Sequence, residues 1–122
     1  MLWDSRMEKM KVTEKPWGKE ELLANTGKYA MKKITIAGGH RMSLQYHQEK
    51  EETIFVVSGL LIVWHSEDFY DHITLHPGDV YHVKPGNIHR FGAPDRCDKT
   101  VIIECSTCEL EDVVRIADDY NR

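Results

Sequence analysis

Gln45 and His47 stand two residues apart in an alternating stretch, and on a β-strand that spacing sends both side chains off one face. Glu52 follows after a polar turn at 48–51. His89 comes much later, delivered to the start of another strand by the turn Lys84-Pro85-Gly86-Asn87. A rolled antiparallel sheet can aim all four side chains inward at one spot. Two imidazoles, a carboxylate and an amide oxygen form a mixed nitrogen and oxygen set suited to a divalent first-row metal. Four such ligands leave one or two coordination positions for water or substrate, which is the arrangement of a catalytic site. A strand histidine is ordinarily a surface or hydrogen-bonded residue, and this chain has seven. The weight therefore rests on the whole pattern: Gly39-x5-Gln45-x-His47-x4-Glu52-x6-Gly59, then Gly78-x7-Gly86-x2-His89.

The elements that must position these residues are short. From Lys19 onward, β-branched or aromatic segments fall at about 20–23, 29–36, 42–47, 52–57, 60–65, 72–75, 79–83, 89–92 and 100–105. Between them lie Asn25-Thr26-Gly27, Gly38-Gly39, Ser58-Gly59, Pro77-Gly78-Asp79, Pro85-Gly86-Asn87 and Gly92-Ala93-Pro94. Each of these supplies a fixed φ, a positive φ or a local side-chain hydrogen bond. Some nine strands at short spacing without a long amphipathic helix predict an all-β sandwich or barrel. In the tail, 109–120 could form a helical turn, and Val113-Val114-Arg115-Ile116 could equally be an edge strand. Residues 1–13 lack a period and are expected to be a loosely held arm, with a single domain at 14–122.

Composition narrows the function. A chain of 122 residues, 41% hydrophobic and 30% charged, is one globular domain. Its net charge of −4 offers no basic field for nucleic acid or an anionic membrane. No apolar run is long enough to span a bilayer or serve as a signal peptide, so a cytoplasmic location is expected. Three cysteines do not suggest a disulfide scaffold, and Cys105-Ser-Thr-Cys108 lacks a second pair. No glycine-rich phosphate loop precedes a helix.

The two spaced patterns resemble the motifs of the cupin superfamily, with Gln45 where the first histidine most often stands. Lys84 replaces a usual proline and Ala93 a common asparagine. The resemblance implies an all-β cupin double-stranded β-helix, or jelly roll. Within that superfamily, Lys15-Pro-Trp-Gly18, Arg41-Met-Ser-Leu-Gln-Tyr-His47, Val56-Val-Ser-Gly59, Lys84-Pro-Gly-Asn-Ile-His-Arg90 and Val114-Arg-Ile-Ala-Asp-Asp-Tyr-Asn-Arg122 resemble the C-terminal isomerase domain of type II mannose-6-phosphate isomerases. Glutamine in place of the first histidine is characteristic of those enzymes. Asn121 departs from a usual glycine.

That resemblance implies a metal-dependent sugar-phosphate isomerase interconverting mannose 6-phosphate and fructose 6-phosphate. Gln45, His47, Glu52 and His89 would be the ligands of a divalent metal: zinc first, with manganese, cobalt, nickel or iron also compatible. Any activity is expected from this domain alone, without the guanylyltransferase of bifunctional members. Candidate catalytic cations for the phosphate are Arg41, Arg90 and Arg122. Arg41 shares strand parity with Gln45 and His47 and is preferred. Arg90 follows a ligand and so points to the opposite face, while Arg122 could fold over the mouth. For proton transfer the candidates are a metal-bound water, Lys33, Glu104 and His82. Trp17 and Trp64 are expected in the core or an interface. A homodimer through an edge strand is expected, acting on a small sugar phosphate. Two other functions stay open on this fold, a non-catalytic metal-binding cupin that binds a small sugar and a cupin oxygenase or epimerase.

Overall fold

A computed structural model describes residues 9–122, so residues 1–8 of the expected arm lie outside the description. Eleven strands follow in chain order. They are β1 (Lys11–Lys15), β2 (Gly18–Asn25), β3 (Ala30–Ala37), β4 (Leu44–Tyr46), β5 (Glu52–Ser58), β6 (Leu61–Trp64), β7 (His72–Leu75), β8 (Val80–Val83), β9 (Arg90–Gly92), β10 (Lys99–Ser106) and β11 (Val114–Ala117). Nine of them fall on the segments expected from the sequence. β1 lies partly inside the expected arm, and β11 settles the tail's alternatives in favour of a strand. Among the described residues no helix is long and apolar enough to cross a membrane.

The strands roll into two layers. Six make one sheet in the order β1-β2-β3-β10-β5-β8. Facing it are β7-β6-β9 and β11-β4, joined through the isolated bridges Arg41↔Gly92 and Gln45↔His89. All pairings are antiparallel.

Strand alternation divides the interior into an apolar end and a polar end. On β3 the inward positions run Ile36, Ile34, Lys32; on β5, Val56, Ile54, Glu52; on β10, Ile102, Glu104, Ser106. Cross-strand partners share a face, and Glu104 is opposite both Lys32 and Ile54. The isoleucines and valines join Leu61, Val63, Phe91 and Trp17 in the hydrophobic core. The charged residues collect at the other end, where they line a cavity.

Two glycines fix connections that carry this register. The turn Pro16-Trp17 joins β1 to β2, and Gly18 sits so close to β3 that a Cβ would lie 1.9 Å from the Thr35 carbonyl oxygen. Gly59, at φ +77°, turns β5 into β6 where a Cβ would meet the Lys99 carbonyl at 2.5 Å. Only glycine meets both demands at that corner.

Candidate metal centre

His47, Glu52 and His89 come together at the polar end, each offering one ligand atom within 4.8 Å of the others. All three are buried, with relative exposures of 4%, 3% and 1%. His47 Nε2 lies 2.9 Å from Glu52 Oε1, and His89 Nε2 lies 3.4 Å from the same oxygen. Gln45 is bonded to His89 through both main chains, at 3.0 and 2.9 Å. That pairing puts their side chains on the same face, and Gln45 shares the cavity wall.

The hydrogen bonds of the imidazoles determine where their lone pairs point. His47 Nδ1 donates to the main-chain carbonyl of Asp112, and His89 Nδ1 donates to that of Asn87 at 2.9 Å. A carbonyl oxygen can only accept, so Nδ1 carries the hydrogen in each neutral ring and Nε2 presents a bare lone pair. Both lone pairs then face a carboxylate oxygen, acceptor against acceptor. Glu52 Oε2 and His89 Nε2 have no hydrogen-bond partner and are shut off from solvent. Buried polar atoms are rarely left so. A divalent cation among these atoms would satisfy all of them at once, so the donor set fits a metal. Anchoring of the distal ring nitrogen by a carbonyl is the usual support of a ligating histidine.

The electrostatics reinforce this. Burial by itself raises the Glu52 carboxyl, but the neighbouring Glu104 and the charge of Lys50 hold it well below the usual carboxylate range. Glu104, across the cavity on β10, is pushed up to about 8, first by burial and then by the charge of Glu52, against the pull of Lys50. Lys50 Nζ donates to Glu104 Oε2 at 3.2 Å, and both side chains are almost wholly buried. Burial opposes the charge of Lys50, yet the facing Glu104 and Glu52 raise its pKa.

Asp112 organises the loop that links two of these residues. Its carboxylate accepts the main-chain N–H groups of Gln48 (3.1 Å), Glu49 (2.7 Å) and Lys50 (2.9 Å). Those bonds, led by Glu49 and then Lys50, lower its pKa. Replacing Asp112 with alanine is expected to leave the strands intact while weakening divalent-metal affinity about 10- to 100-fold, the usual cost of losing a group that orients ligands. Competition against a chromophoric chelator measures this. Unchanged affinity would show that the loop holds its shape without the carboxylate.

The structure separates the three arginines singled out in the sequence. Arg41 does not face the cavity. Its guanidinium donates to Asp119 at 2.6 and 3.0 Å and lies over the Trp64 ring, 5.2 Å from its centroid. The parity reading failed because β4 begins only at Leu44. Met42, Ser43, Leu44 and Gln45 are all buried, so no alternation runs through from Arg41. Arg90 points away from His89. It is buried, donating from Nε to the Met42 carbonyl (2.8 Å) and from Nη2 to that of Ala117 (3.1 Å). Together with Asp119, these two arginines clamp the C-terminal segment onto the small sheet. Arg122 lines the cavity, where Asp118 accepts its Nε–H at 2.9 Å.

Of the other candidates, Glu104 lines the cavity, whereas Lys33 and His82 do not. Ile34 and Ile36 occupy the inner face of β3, so the inward lysine is Lys32, not Lys33. His82 is exposed, and its Nδ1 lies 2.9 Å from Thr53 Oγ1. His40, His65, His72 and His76 also stand outside the cavity. Trp17 is core, and its ring closes one wall. The three cysteines are free. Lys15, Lys32, Lys50 and Arg115, all missed in the sequence, add to the cationic lining among the described residues. Arg115 had a signal, its place in the terminal motif; buried Lys50 in a polar loop had none.

Comparisons with known proteins agree with this architecture. A family profile described as mannose-6-phosphate isomerase C-terminal matches residues 4–118. The mannose-1-phosphate guanylyltransferase of Escherichia coli (strain K12) is 30% identical over 110 residues, covering 88% of this chain and 22% of that protein. The alginate biosynthesis protein AlgA of Pseudomonas aeruginosa is 28% identical over 110 residues, with the same two coverages, 88% and 22%. The chain thus spans about a fifth of the length of these relatives (22%). An RmlC-like cupin from Shewanella frigidimarina superposes with a TM-score of 0.71 at 19% identity, covering 89% of this chain and 96% of that one. The fold is therefore a cupin double-stranded β-helix, and the extent of the family match shows that this chain belongs to the mannose-6-phosphate isomerase C-terminal family.

Proposed function

We propose that the chain is a metal-dependent sugar-phosphate isomerase that interconverts mannose 6-phosphate and fructose 6-phosphate. The single observation that carries this reading is the meeting of His47, Glu52 and His89 at the buried end of one cavity, where Glu52 Oε2 and His89 Nε2 have no hydrogen-bond partner. Those three would hold the cation and Gln45 would complete the set, with zinc preferred and manganese, cobalt, nickel or iron compatible. The bound ion supplies Lewis-acid polarisation of the sugar's carbonyl oxygen.

Aldose–ketose isomerisation moves a proton between C1 and C2 through an enediol. The chain must therefore supply a group that takes and returns a proton beside those carbons. Glu104 is the candidate on the cavity wall, and Lys50 Nζ at 3.2 Å keeps positive charge next to it. Trp17 and Phe91 form apolar wall that excludes water from the reacting carbons. The same reading makes the protein a cytoplasmic homodimer acting on small sugar phosphates.

A coupled assay for fructose 6-phosphate, run on chelated protein across a metal series, tests this. Turnover is expected to vanish on chelation and return with one of the named ions. Loaded protein that yields no fructose 6-phosphate, or turnover indifferent to complete metal removal, would reject the proposal.

A further inference from the structure

The segment around β11 meets the elements that carry all four candidate ligands. Asp112, just before the strand, binds the N–H groups of Gln48, Glu49 and Lys50 through its carboxylate, and its carbonyl accepts from His47 Nδ1. That loop joins His47 to Glu52. β11 itself pairs with β4, where Arg115 is the partner of Gln45. At the end of β11 the Ala117 carbonyl accepts from Arg90 Nη2 at 3.1 Å, and Arg90 directly follows His89. Residues 112–119 thus form a strap across the outside of the candidate metal centre.

A carboxylate ties the strap down at each end. Asp112 is the first and Asp119 the second. Asp119 accepts from Arg41 Nε at 2.6 Å and Nη2 at 3.0 Å, and its Oδ1 lies 3.7 Å from Arg90 Nη2. The Arg41 guanidinium is itself held against two rings, 5.2 Å from the Trp64 centroid and 5.8 Å from that of Phe69. Burial and the charge of Arg41 both disfavour the Arg90 cation, and Asp119 leads the charges that offset them. Without that carboxylate, two adjacent guanidinium groups would repel each other beside His89. The ladder between the two ties is short and shifts register between Arg115 and Ala117, and a two-stranded ribbon holds weakly by itself.

We propose that Asp119 is a positioning residue of the candidate metal centre: by latching the strap to Arg41 and Arg90, it couples closure of the strap to occupation of the site. The coupling is reciprocal. A closed strap holds the ligand-bearing elements in register, so a cation meets residues already in place. A bound cation fixes the same elements and so favours the closed strap. Asp119 itself is no ligand and takes no part in proton transfer. The inference rests on the metal-centre part of the isomerase reading and not on the reaction.

The test uses the full chain, demetallated and titrated with Zn²⁺, with trypsin cleavage after Arg115 as the probe of the strap. In the parent, Zn²⁺ is expected to slow that cleavage by about fivefold or more. Asp119→Asn should weaken Zn²⁺ binding by about fivefold or more and remove most of the protection, with far-ultraviolet circular dichroism unchanged. Arg41→Met breaks the latch from its other side and should do the same. Asp119→Glu keeps the charge and should recover part of both effects, which loss of packing at an exposed side chain would not predict. Parental affinity and parental protection in both Asp119→Asn and Arg41→Met overturn the proposal and leave the metal centre standing. A parent that binds no Zn²⁺ rejects the metal centre and the latch with it. A chain that shows the coupling but never isomerises upholds the latch and rejects only the isomerase.

Discussion

Glu52→Gln is expected to lower isomerase turnover by about three orders of magnitude or more, because several kcal/mol of charge stabilisation leave with the metal. The glutamine keeps the shape of the side chain but removes the negative charge that would hold a cation between His47 and His89. Its amide hydrogens can instead donate to the two Nε2 lone pairs that now face Glu52 at 2.9 and 3.4 Å. The variant should therefore stay folded without metal, since Ile34, Ile54 and Ile102 at the apolar end are untouched. Activity, metal content by elemental analysis and far-ultraviolet circular dichroism together give the result. Turnover within tenfold of the parent would remove Glu52 from the ligand set. Loss of the β signal would make it a structural residue instead.

The second large effect is on stability. Trp17 is 2% exposed and is among the largest fully buried side chains. It plugs the end of the β1–β2 hairpin into the core, and its main-chain carbonyl accepts the Ala37 N–H at 2.9 Å. Trp17→Ala is expected to cost about 3–5 kcal/mol, the lost transfer energy plus the cavity left behind. Against a usual total of about 5–15 kcal/mol, that leaves a marginal domain, with a Tm lower by about 10 °C or more. Thermal melts of metal-free protein check this; a shift of only a few degrees would mean that the hairpin is not anchored through Trp17.

These two residues also show what was legible in the sequence. Nine strands could be read because glycine and proline turns punctuate them and inward residues alternate cleanly, as Glu52, Ile54 and Val56 do on β5. β1 was hidden because it is an exposed edge strand whose Lys-Val-Thr-Glu-Lys carries no apolar face. The grouping of His47, Glu52 and His89 was readable because the relation between Gln45 and His47 is local and both turns are marked. Arg41 was misread because parity holds only within a strand, and Arg41 makes a single bridge to Gly92 outside one. Lys32 and Arg115 depended on register between strands distant in sequence, which no local spacing encodes. Lys50 was hidden for another reason. Its burial against Glu104 follows from the loop that Asp112 ties down, 62 residues further along the chain.

The most direct measurement of the central claim is a calorimetric titration of demetallated protein with Zn²⁺, paired with thermal melts. One ion per chain should bind, and at a hundredfold excess over Kd it should add about 2.7 kcal/mol to stability. In His89→Ala and Glu52→Gln both signals should disappear. Equal binding by the parent and both variants, or no stoichiometric binding by the parent, would contradict the assignment of His47, Glu52 and His89 as a metal centre.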